Sequence, residues 1–174
     1  CGKKKLVKVI NFGNIPLGNN LLTKQKHSIK AKKYPLILKN CKNCNHFQLN
    51  YSVNPKILYA KNYTYLSGTG KSMVIHLKKY AKYITKKINL KKKSIVLDIG
   101  SNDGTCLMNF KKKGMNVLGI DPAKKPCQIA KSKGINSLNN FFDKHTLKKV
   151  LKSHGKIDFV TSPNTLAHVE NLKL

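Results

Sequence analysis

The sequence contains no arginine, although it is strongly basic. All 35 of its basic residues are lysine, and they give the 174-residue chain a formal net charge of +29. Surfaces that bind nucleic acid favour arginine, because its planar guanidinium binds phosphate and guanine through paired hydrogen bonds. The absence of arginine therefore argues against a nucleic-acid partner. Asparagine and isoleucine are also abundant, as in proteins from AT-rich coding sequences, so we attribute most of the charge to compositional bias.

Long apolar runs are missing as well. No stretch approaches the ~20 apolar residues that a membrane-spanning helix needs. Hydrophobic residues nevertheless make up 40% of the chain, which is enough for a packed core. We therefore expect a soluble, cytoplasmic protein with no membrane partner. The first residue is Cys1 rather than methionine, so we expect the native start to lie upstream of this sequence.

Acidic residues are scarce enough for their positions to be informative. The chain contains six of them, namely Asp98, Asp103, Asp121, Asp143, Asp158 and Glu170. Three of the six, Asp98, Asp103 and Asp121, lie within or shortly after a single glycine-containing segment. Because acids are so rare elsewhere, this grouping predicts a functional site there.

The chain contains two regions that differ in their residue pattern. Residues 1–66 carry paired cysteines and short alternating segments, which predict a small β-rich zinc-binding domain. Residues 67–93 contain a predicted amphipathic linking helix. Residues 94–174 alternate strand-like and helix-like runs, the pattern of a parallel α/β sheet. The sequence thus predicts an α/β fold, in which a Rossmann-like but incomplete sheet follows a small zinc-binding domain.

Individual elements follow from periodicity and from the positions of glycine and proline. Alternating apolar residues predict a half-buried strand over residues 47–53, and a short helix is predicted over residues 56–61. An apolar stripe at helical spacing predicts the linking helix over residues 72–89. The second region predicts strands over residues 94–99, 116–120, 135–138 and 157–161, and helices over residues 105–113, 124–133 and 143–153.

The segment VLDIGSNDGT, residues 96–105, has the strand, glycine turn and helix of a nucleoside-type cofactor site. Gly100 and Gly104 permit a tight turn and a close approach of the backbone, while Asn102 stands where a middle glycine often occurs. Asp121 follows about twenty positions on, at the end of the next predicted strand, where a carboxylate accepts hydrogen bonds from ribose hydroxyls.

The acids of this segment indicate which cofactor binds. A pyrophosphate would be repelled by Asp98 and Asp103, whereas S-adenosylmethionine has no phosphate and carries a cationic sulfonium and an amino group. The residues therefore favour S-adenosylmethionine over a nicotinamide cofactor. The alternative interpretation is a generic α/β turn in which Asp98 has only a capping role.

Cys41 and Cys44 form a CxxC pair, which in a reducing cytosol indicates metal binding or redox chemistry. A thioredoxin-like role is disfavoured, because there the pair precedes a helix and here a strand is predicted to follow. A structural zinc site needs four ligands. Cys1, followed by a glycine as at the end of a second CxxC knuckle, is the third candidate. His27 or His46 is an alternative ligand.

Several motifs together resemble those of the sugar C-methyltransferases, enzymes that methylate a carbon of a nucleotide-linked keto-sugar. The resemblance extends over nearly the whole chain. The motifs that carry it are GNIPLGNN, YPLILKNCKNC, YTYLSGTGKSM, VLDIGSNDGT, VLGIDPA and SPNTLAHVENL. It implies a small structural zinc domain, a Rossmann-type methyltransferase domain that uses S-adenosylmethionine, and a further C-terminal domain.

The resemblance also implies a role for each matching residue. The residues implied to line the cofactor pocket are Asp98, Gly100, Asn102, Gly104 and Asp121. Asn164 and His168, in NTLAH, would stand near the transferred methyl at the end of the fourth predicted strand. Tyr63 or Tyr65, in YTYLS, would reach the sugar. The basic surface would attract the anionic nucleotide part of such a substrate.

The chemistry that such a substrate demands points to one histidine. A keto group acidifies the neighbouring C–H, so a base removes that proton and the resulting enolate carbon attacks the sulfonium methyl. The enzyme must supply the base and stabilise the enolate oxygen. Histidine can do either near neutral pH, which makes His168 the candidate. The alternative is that His168 is a structural histidine after a buried strand.

The predicted sheet stops after four strands, near Leu174. The resemblance implies three more strands and further catalytic residues, so we expect this chain to be a fragment that is inactive alone. It also implies a cysteine just before residue 1.

Two other functions are consistent with the residues. An RNA methyltransferase, supported by the charge and the CxxC pair, predicts binding that falls steeply with salt. A non-catalytic zinc module that binds nucleic acid predicts no affinity for S-adenosylmethionine.

Overall fold

The chain divides into two units, residues 1–64 and residues 65–174. A computed structural model describes residues 1–22, 24, 27, 29–60 and 63–168. All the predicted site residues lie within these ranges. Residue 61, at the end of the predicted short helix, and residues 169–174, at the end of the SPNTLAHVENL motif, lie outside them.

The first unit contains a three-stranded antiparallel sheet in the order β1-β2-β3. Strand β1 spans Leu6–Pro16, β2 spans Lys33–Cys41 and β3 spans Phe47–Leu49. The predicted β-rich character of this region is confirmed. The sequence analysis nevertheless missed β1 and β2 as elements, because lysine, asparagine and proline interrupt their apolar residues. Pairing between the two strands, with two register shifts in the ladder, holds them extended instead.

The half-buried strand predicted over residues 47–53 is wrong in length and in burial. Strand β3 ends at Leu49, and the side chains of Phe47 and Leu49 are 55% and 51% exposed. The physical reason is that the described residues of this unit form a single three-stranded sheet, without a second layer that would cover the side chains of β3. A short helix was predicted over residues 56–61, and the structure has a π-helix over Lys56–Ala60.

The second unit begins with helix α1, Lys71–Lys87, and continues as a regular alternation of strands and helices. The elements in order are β4 (Ile95–Ile99), α2 (Thr105–Lys111), β5 (Asn116–Ile120), α3 (Lys124–Ser132), β6 (Asn136–Leu138), α4 (Lys144–His154) and β7 (Phe159–Thr161). A one-turn 3-10 helix, Leu166–His168, follows. Each element predicted in this region is present, with ends that differ by two residues or fewer.

The four strands form a parallel sheet in the order β6-β5-β4-β7. The chain builds outward from β4 through β5 to β6 and then returns to the other side of β4 as β7. The strand order therefore reverses between β4 and β7, and open α/β sheets bind their ligands beyond the carboxyl ends of the strands at such a reversal. This Rossmann-like arrangement confirms the predicted fold class.

The core of this unit lies on both sides of the sheet, because successive side chains of a strand point to opposite faces. One cluster of buried side chains consists of Leu77, Ala81, Val96, Cys106, Leu107, Phe110, Met115, Ala130 and Ile135. A second consists of Leu97, Leu118, Ile120 and Val150. The lysines of α1 are exposed on the face away from its apolar stripe.

Within the described part of the chain, no helix is both long and apolar enough to cross a membrane.

Leucine-to-alanine substitutions at a buried and an exposed site test this core. Leu107 is fully buried, so we expect Leu107→Ala to lower the free energy of unfolding by about 2–5 kcal/mol. Leu151 is 46% exposed on α4, and the same substitution there should change it by less than about 0.5 kcal/mol. Denaturant titration followed by circular dichroism measures both values. Equal effects at the two sites would contradict the packing described here.

Candidate cofactor site and metal centre

The turn after β4 depends on two glycines. Gly100 and Gly104 both have a φ of +74°, a left-handed conformation that strains other residues. The Gly100 amide donates to the Ile120 carbonyl at 2.8 Å, which ties the turn to the end of β5. A Cβ on Gly104 would lie 3.0 Å from Ile135 Cγ1 and 3.2 Å from Ala130 Cβ. The turn is therefore as tight, and as closely packed, as a nucleoside cofactor site requires.

Asp121 closes the turn from the neighbouring strand. Its Oδ2 accepts a hydrogen bond from the Asn102 amide and its Oδ1 accepts one from the Ala123 amide, each at 2.8 Å. Burial raises the pKa of Asp121, while these two hydrogen bonds act to lower it. A carboxylate has about four acceptor positions, so each oxygen keeps capacity for a hydroxyl donor. This arrangement fits the predicted contact with a ribose.

Asp98 is the buried acid of the site. Its side chain is 1% exposed, and its Oδ1 has no hydrogen-bond partner among the described residues. Burial raises the pKa of Asp98 well above its usual range, and the nearby charge of Asp121 raises it further. An unpartnered buried carboxylate is unfavourable unless a donor or a cation meets it. A cofactor with a cationic group would supply that partner, so the acids present fit such a group.

The side chains of Asn102 and Asp103 contact the chain segment that precedes α1. Asn102 Oδ1 accepts from the Ser67 amide at 2.9 Å, and Asn102 Nδ2 donates to the Tyr65 carbonyl at 3.0 Å. Asp103 Oδ2 accepts from the Gly68 amide at 3.0 Å. Asn102 and Asp103, which the sequence placed at the cofactor site, thus bind residues 65–68, which we call segment 65–68.

Asp103 also forms an ion pair within the described residues. Lys133 Nζ lies 3.2 Å from Asp103 Oδ2. Burial acts to raise the pKa of Asp103, but hydrogen bonds from Thr105 and the charge of Lys133 outweigh it and hold that pKa below its usual value. Asp103 is therefore ionised and already neutralised by a lysine, unlike Asp98.

The residues after β7 return to the glycine turn. Ser162 Oγ donates to the Ile99 carbonyl at 3.1 Å. Thr165 covers Gly100 so closely that a Cβ on that glycine would lie 2.7 Å from Thr165 Cγ2. Asn164 and His168 flank Thr165 on this short segment, and both are exposed. The structure therefore brings both predicted catalytic residues to the carboxyl edge of the sheet, beside the cofactor turn.

The two predicted tyrosines lie in different units. The Tyr65 carbonyl is held by Asn102, and the Tyr65 side chain is 41% exposed. Tyr63 belongs to the first unit, where its ring centroid lies 5.6 Å from that of Tyr59. Of the two alternatives, Tyr65 is the one that the structure connects to the cofactor turn.

The sequence analysis missed a hydroxyl pair beneath the site. Tyr80 of α1 and Thr161 at the end of β7 form a hydrogen bond of 2.8 Å between their hydroxyl oxygens. Burial raises the pKa of Tyr80. Tyr80 lies on the apolar stripe that predicted this helix, and nothing in the local pattern distinguishes its hydroxyl from that of an ordinary core tyrosine.

The metal centre brings together three cysteines of the first unit. The sulfur atoms of Cys1, Cys41 and Cys44 all lie within 4.8 Å of one another, and Cys1 Sγ lies 3.7 Å from Cys41 Sγ. The knuckle between Cys41 and Cys44 closes through Asn45, whose φ is +57° and whose amide donates to the Cys41 carbonyl at 2.8 Å. Neither His27 nor His46 belongs to this cluster of described residues.

The surroundings of Cys41 favour the thiolate that a metal needs. Hydrogen bonds from the backbone amides of Asn43 and Cys44 lower the pKa of Cys41. Soft thiolate ligands select zinc among the common divalent ions. The three cysteines would therefore supply three of the four ligands of a structural zinc site.

Two family matches follow the division of the chain. The family described as "Putative zinc binding domain" matches residues 1–59, and the family described as "Methyltransferase domain" matches residues 73–173. Among curated proteins, the chain is 26% identical over 172 residues to "C-methyltransferase NovU" from Streptomyces niveus. That match covers 99% of this chain and 41% of the relative. The domain order is the one that the sequence resemblance implied.

Solved structures that resemble the chain include two bacterial methyltransferases. The magnesium protoporphyrin IX methyltransferase of Synechocystis PCC 6803 is 18% identical, with a TM-score of 0.43, over 55% of this chain and 46% of that one. A SAM-dependent methyltransferase from Agrobacterium tumefaciens is 11% identical, with a TM-score of 0.43, over 68% and 42%. Because both TM-scores are low, we assign the fold from the strand order described above and not from these two similarities.

Replacing Cys44 by serine tests the metal centre. We expect the purified protein to hold about one zinc ion per chain, and the Cys44→Ser variant to lose most of it, because a structural site needs its thiolates. Elemental analysis after dialysis against a weak chelator measures the difference. The Cys106→Ser variant, which changes a buried cysteine of the second unit, serves as the control and should keep its zinc. Equal zinc in the two variants would contradict the assignment.

Proposed function

Because the chain belongs to the family of methyltransferase domains and carries a zinc binding domain before that domain, we propose that it is part of a sugar C-methyltransferase. The enzyme transfers a methyl group from S-adenosylmethionine to the carbon beside the keto group of a nucleotide-linked keto-deoxysugar. The observation that carries this proposal is the similarity of 99% of the chain to a C-methyltransferase. The chain spans about two fifths of that relative's length.

The cofactor of the second unit is S-adenosylmethionine. Asp121 would accept hydrogen bonds from the ribose, Asp98 would face the cationic part, and the turn from Gly100 to Gly104 would allow close approach of the backbone. When bound, the cofactor supplies an electrophilic methyl group. The contribution of the protein is to hold that group beside the sugar and to keep water away from it.

The proton transfer falls to the segment after β7. An imidazole nitrogen of His168 accepts the proton from the carbon beside the keto group, or the ring donates a hydrogen bond to the enolate oxygen that forms. The Asn164 amide is the second donor available to that oxygen. Support for both roles comes from Thr165, which packs on Gly100 and so keeps this segment beside the cofactor turn. Tyr65, exposed above the same turn, would contact the sugar.

The zinc ion has a structural role in this proposal. Its candidate ligands among the described residues are three thiolates, and cysteine-rich ligand sets are typical of structural zinc sites. Structural zinc sites contribute directly to folding, and the first unit buries few apolar side chains of its own. We place the enzyme in the cytoplasm, where a CxxC pair is expected to bind a metal rather than to form a disulfide.

The cofactor assignment predicts a pH dependence. S-adenosylhomocysteine carries an amino group that stays cationic in acid, so Asp98 must be ionised to attract it. Because the pKa of Asp98 is raised, its carboxylate becomes protonated as the pH falls through that raised value, at a higher pH than for an exposed aspartate. Affinity should therefore fall with decreasing pH, by at most about tenfold per pH unit. Calorimetry between pH 8 and pH 5 measures the change.

Two aspartate-to-asparagine variants test whether Asp98 is the group that causes this pH dependence of affinity. Asp98→Asn should weaken binding about tenfold at pH 8 and flatten the pH profile, because it removes the charge that titrates. Asp158→Asn serves as the control, since Asp158 is exposed and accepts a hydrogen bond from the Ile95 amide, at the opposite end of β4 from the site. Unchanged affinity in Asp98→Asn would contradict its role, and absence of binding by the wild-type protein would contradict the proposed function.

The acceptor is tested by turnover of the whole enzyme. With methyl-labelled S-adenosylmethionine and a panel of nucleotide-linked 4-keto-sugars, we expect label on the carbon next to the keto group. His168→Gln should lower kcat by about 100-fold or more, because glutamine cannot carry the proton. The Asn136→Ala variant, which changes an exposed residue at the opposite edge of the sheet, should retain kcat. Label transferred to RNA, with binding that falls steeply with salt, would favour an RNA methyltransferase instead.

A further inference from the structure

Segment 65–68 is fixed to the glycine turn by side chains that lie 35 to 37 positions further along the chain. Three hydrogen bonds join them, from the Ser67 amide to Asn102 Oδ1, from Asn102 Nδ2 to the Tyr65 carbonyl, and from the Gly68 amide to Asp103 Oδ2. Every bond uses a backbone group of the segment and a side chain of the turn. The identity of the two turn residues therefore decides whether the segment docks.

The docking is close enough to require glycine at one position. A Cβ on Gly68 would lie 2.6 Å from Asp103 Oδ2 and 2.8 Å from Thr105 Oγ1. Both distances are shorter than a carbon–oxygen contact allows, so a side chain at position 68 would force either the segment or the Asp103 carboxylate to shift and would weaken their hydrogen bond. The segment thus approaches the turn with its bare backbone.

The polar groups of Asn102 and Asp103 are already engaged in these and neighbouring contacts. Asn102 uses its side-chain oxygen and nitrogen on the segment, while its amide donates to Asp121. Asp103 Oδ1 accepts from the amide and the hydroxyl of Thr105, and its Oδ2 accepts from Gly68 and Lys133. By contrast, Asp98 Oδ1 has no partner among the described residues. The turn therefore carries one acid, Asp103, whose carboxylate binds the segment, and a second acid, Asp98, that keeps an unpartnered oxygen.

We infer that Asn102 and Asp103 are positioning residues, which dock segment 65–68 against the glycine turn and thereby set the cofactor affinity and the placement of Tyr65. This inference rests on the proposed function for its cofactor part. The φ of Asn102 is +50°, a conformation that glycine would adopt at lower cost. The asparagine side chain offsets that cost with its two hydrogen bonds to the segment, which supports a positioning role.

Asn102→Gly is the sharpest variant for a test, because it removes the side chain without straining the turn and keeps the amide that donates to Asp121. Amide hydrogen exchange of the protein should be at least about tenfold faster at Ser67 and Gly68 in this variant, because their acceptor contacts are lost or loosened. The affinity for S-adenosylhomocysteine, measured by calorimetry, should fall about tenfold. With the whole enzyme, the KM for the sugar should rise more than kcat falls, since Tyr65 is displaced.

Two further variants distinguish docking from ligand binding and from general destabilisation. Asp98→Asn should weaken S-adenosylhomocysteine binding while the exchange at Ser67 and Gly68 stays as in the wild type. Asn116→Ala removes an asparagine side chain that donates to the Lys93 carbonyl away from the site, and it should change neither measurement. The Gly68→Ala variant should reproduce the effects of Asn102→Gly.

The outcomes separate the inference from the proposed function. Wild-type exchange at Ser67 and Gly68 in Asn102→Gly would overturn the docking role. Faster exchange with unchanged affinity would overturn the link between docking and the cofactor. If the wild-type protein did not bind S-adenosylhomocysteine at all, the proposed function would fail, while the exchange comparison would still decide whether the two residues dock the segment.

Discussion

The hydrogen bond from the Asn102 amide to Asp121 Oδ2, 2.8 Å long, is the contact on which the site depends. It joins the ends of β4 and β5, so the turn between β4 and α2 can adopt only one path. That path directs the Asn102 side chain toward segment 65–68 and leaves Gly100 beneath Thr165. Asp121 accepts this bond while largely buried, where the charged form is unfavourable and a second amide helps to offset the cost. The carboxylate that we propose for ribose binding therefore also sets the shape of the turn.

The two units are stabilised by different means. The second has buried clusters on both sides of its sheet, with Leu107, Phe110 and Leu118 fully inaccessible to solvent. The first exposes most of the apolar side chains of its sheet and gathers three cysteine sulfurs within 4.8 Å. A small domain with so little core needs a metal or a similar cross-link to fold. Loss of zinc should therefore affect the first unit before the second.

The second unit was predictable from the sequence because glycine or aspartate follows most of its elements. The fold of the first was not, since the extended course of β1 depends on pairing with a strand some thirty residues away rather than on local pattern. The sequence predicted that Asp98 and Asp121 lie near the carboxyl ends of adjacent strands, and the structure places them there. It did not predict the contacts of Asn102 and Asp103 with segment 65–68, because those partners lie 35 positions or more away along the chain. No local spacing rule indicates that these two side chains face the segment.

The separation of segment 65–68 from its partners also has a consequence during synthesis. During translation Ser67 leaves the ribosome before Asn102, and Asn102 leaves it before Asp121. The zinc-binding unit is therefore synthesised before the side chains to which segment 65–68 docks. The last of these contacts can form only after β5 has joined the sheet beside β4. The turn after β4 can therefore take its final form only once residue 121 has been made, and a nascent chain that stalls before that residue would present a zinc-binding unit joined to an unformed cofactor site.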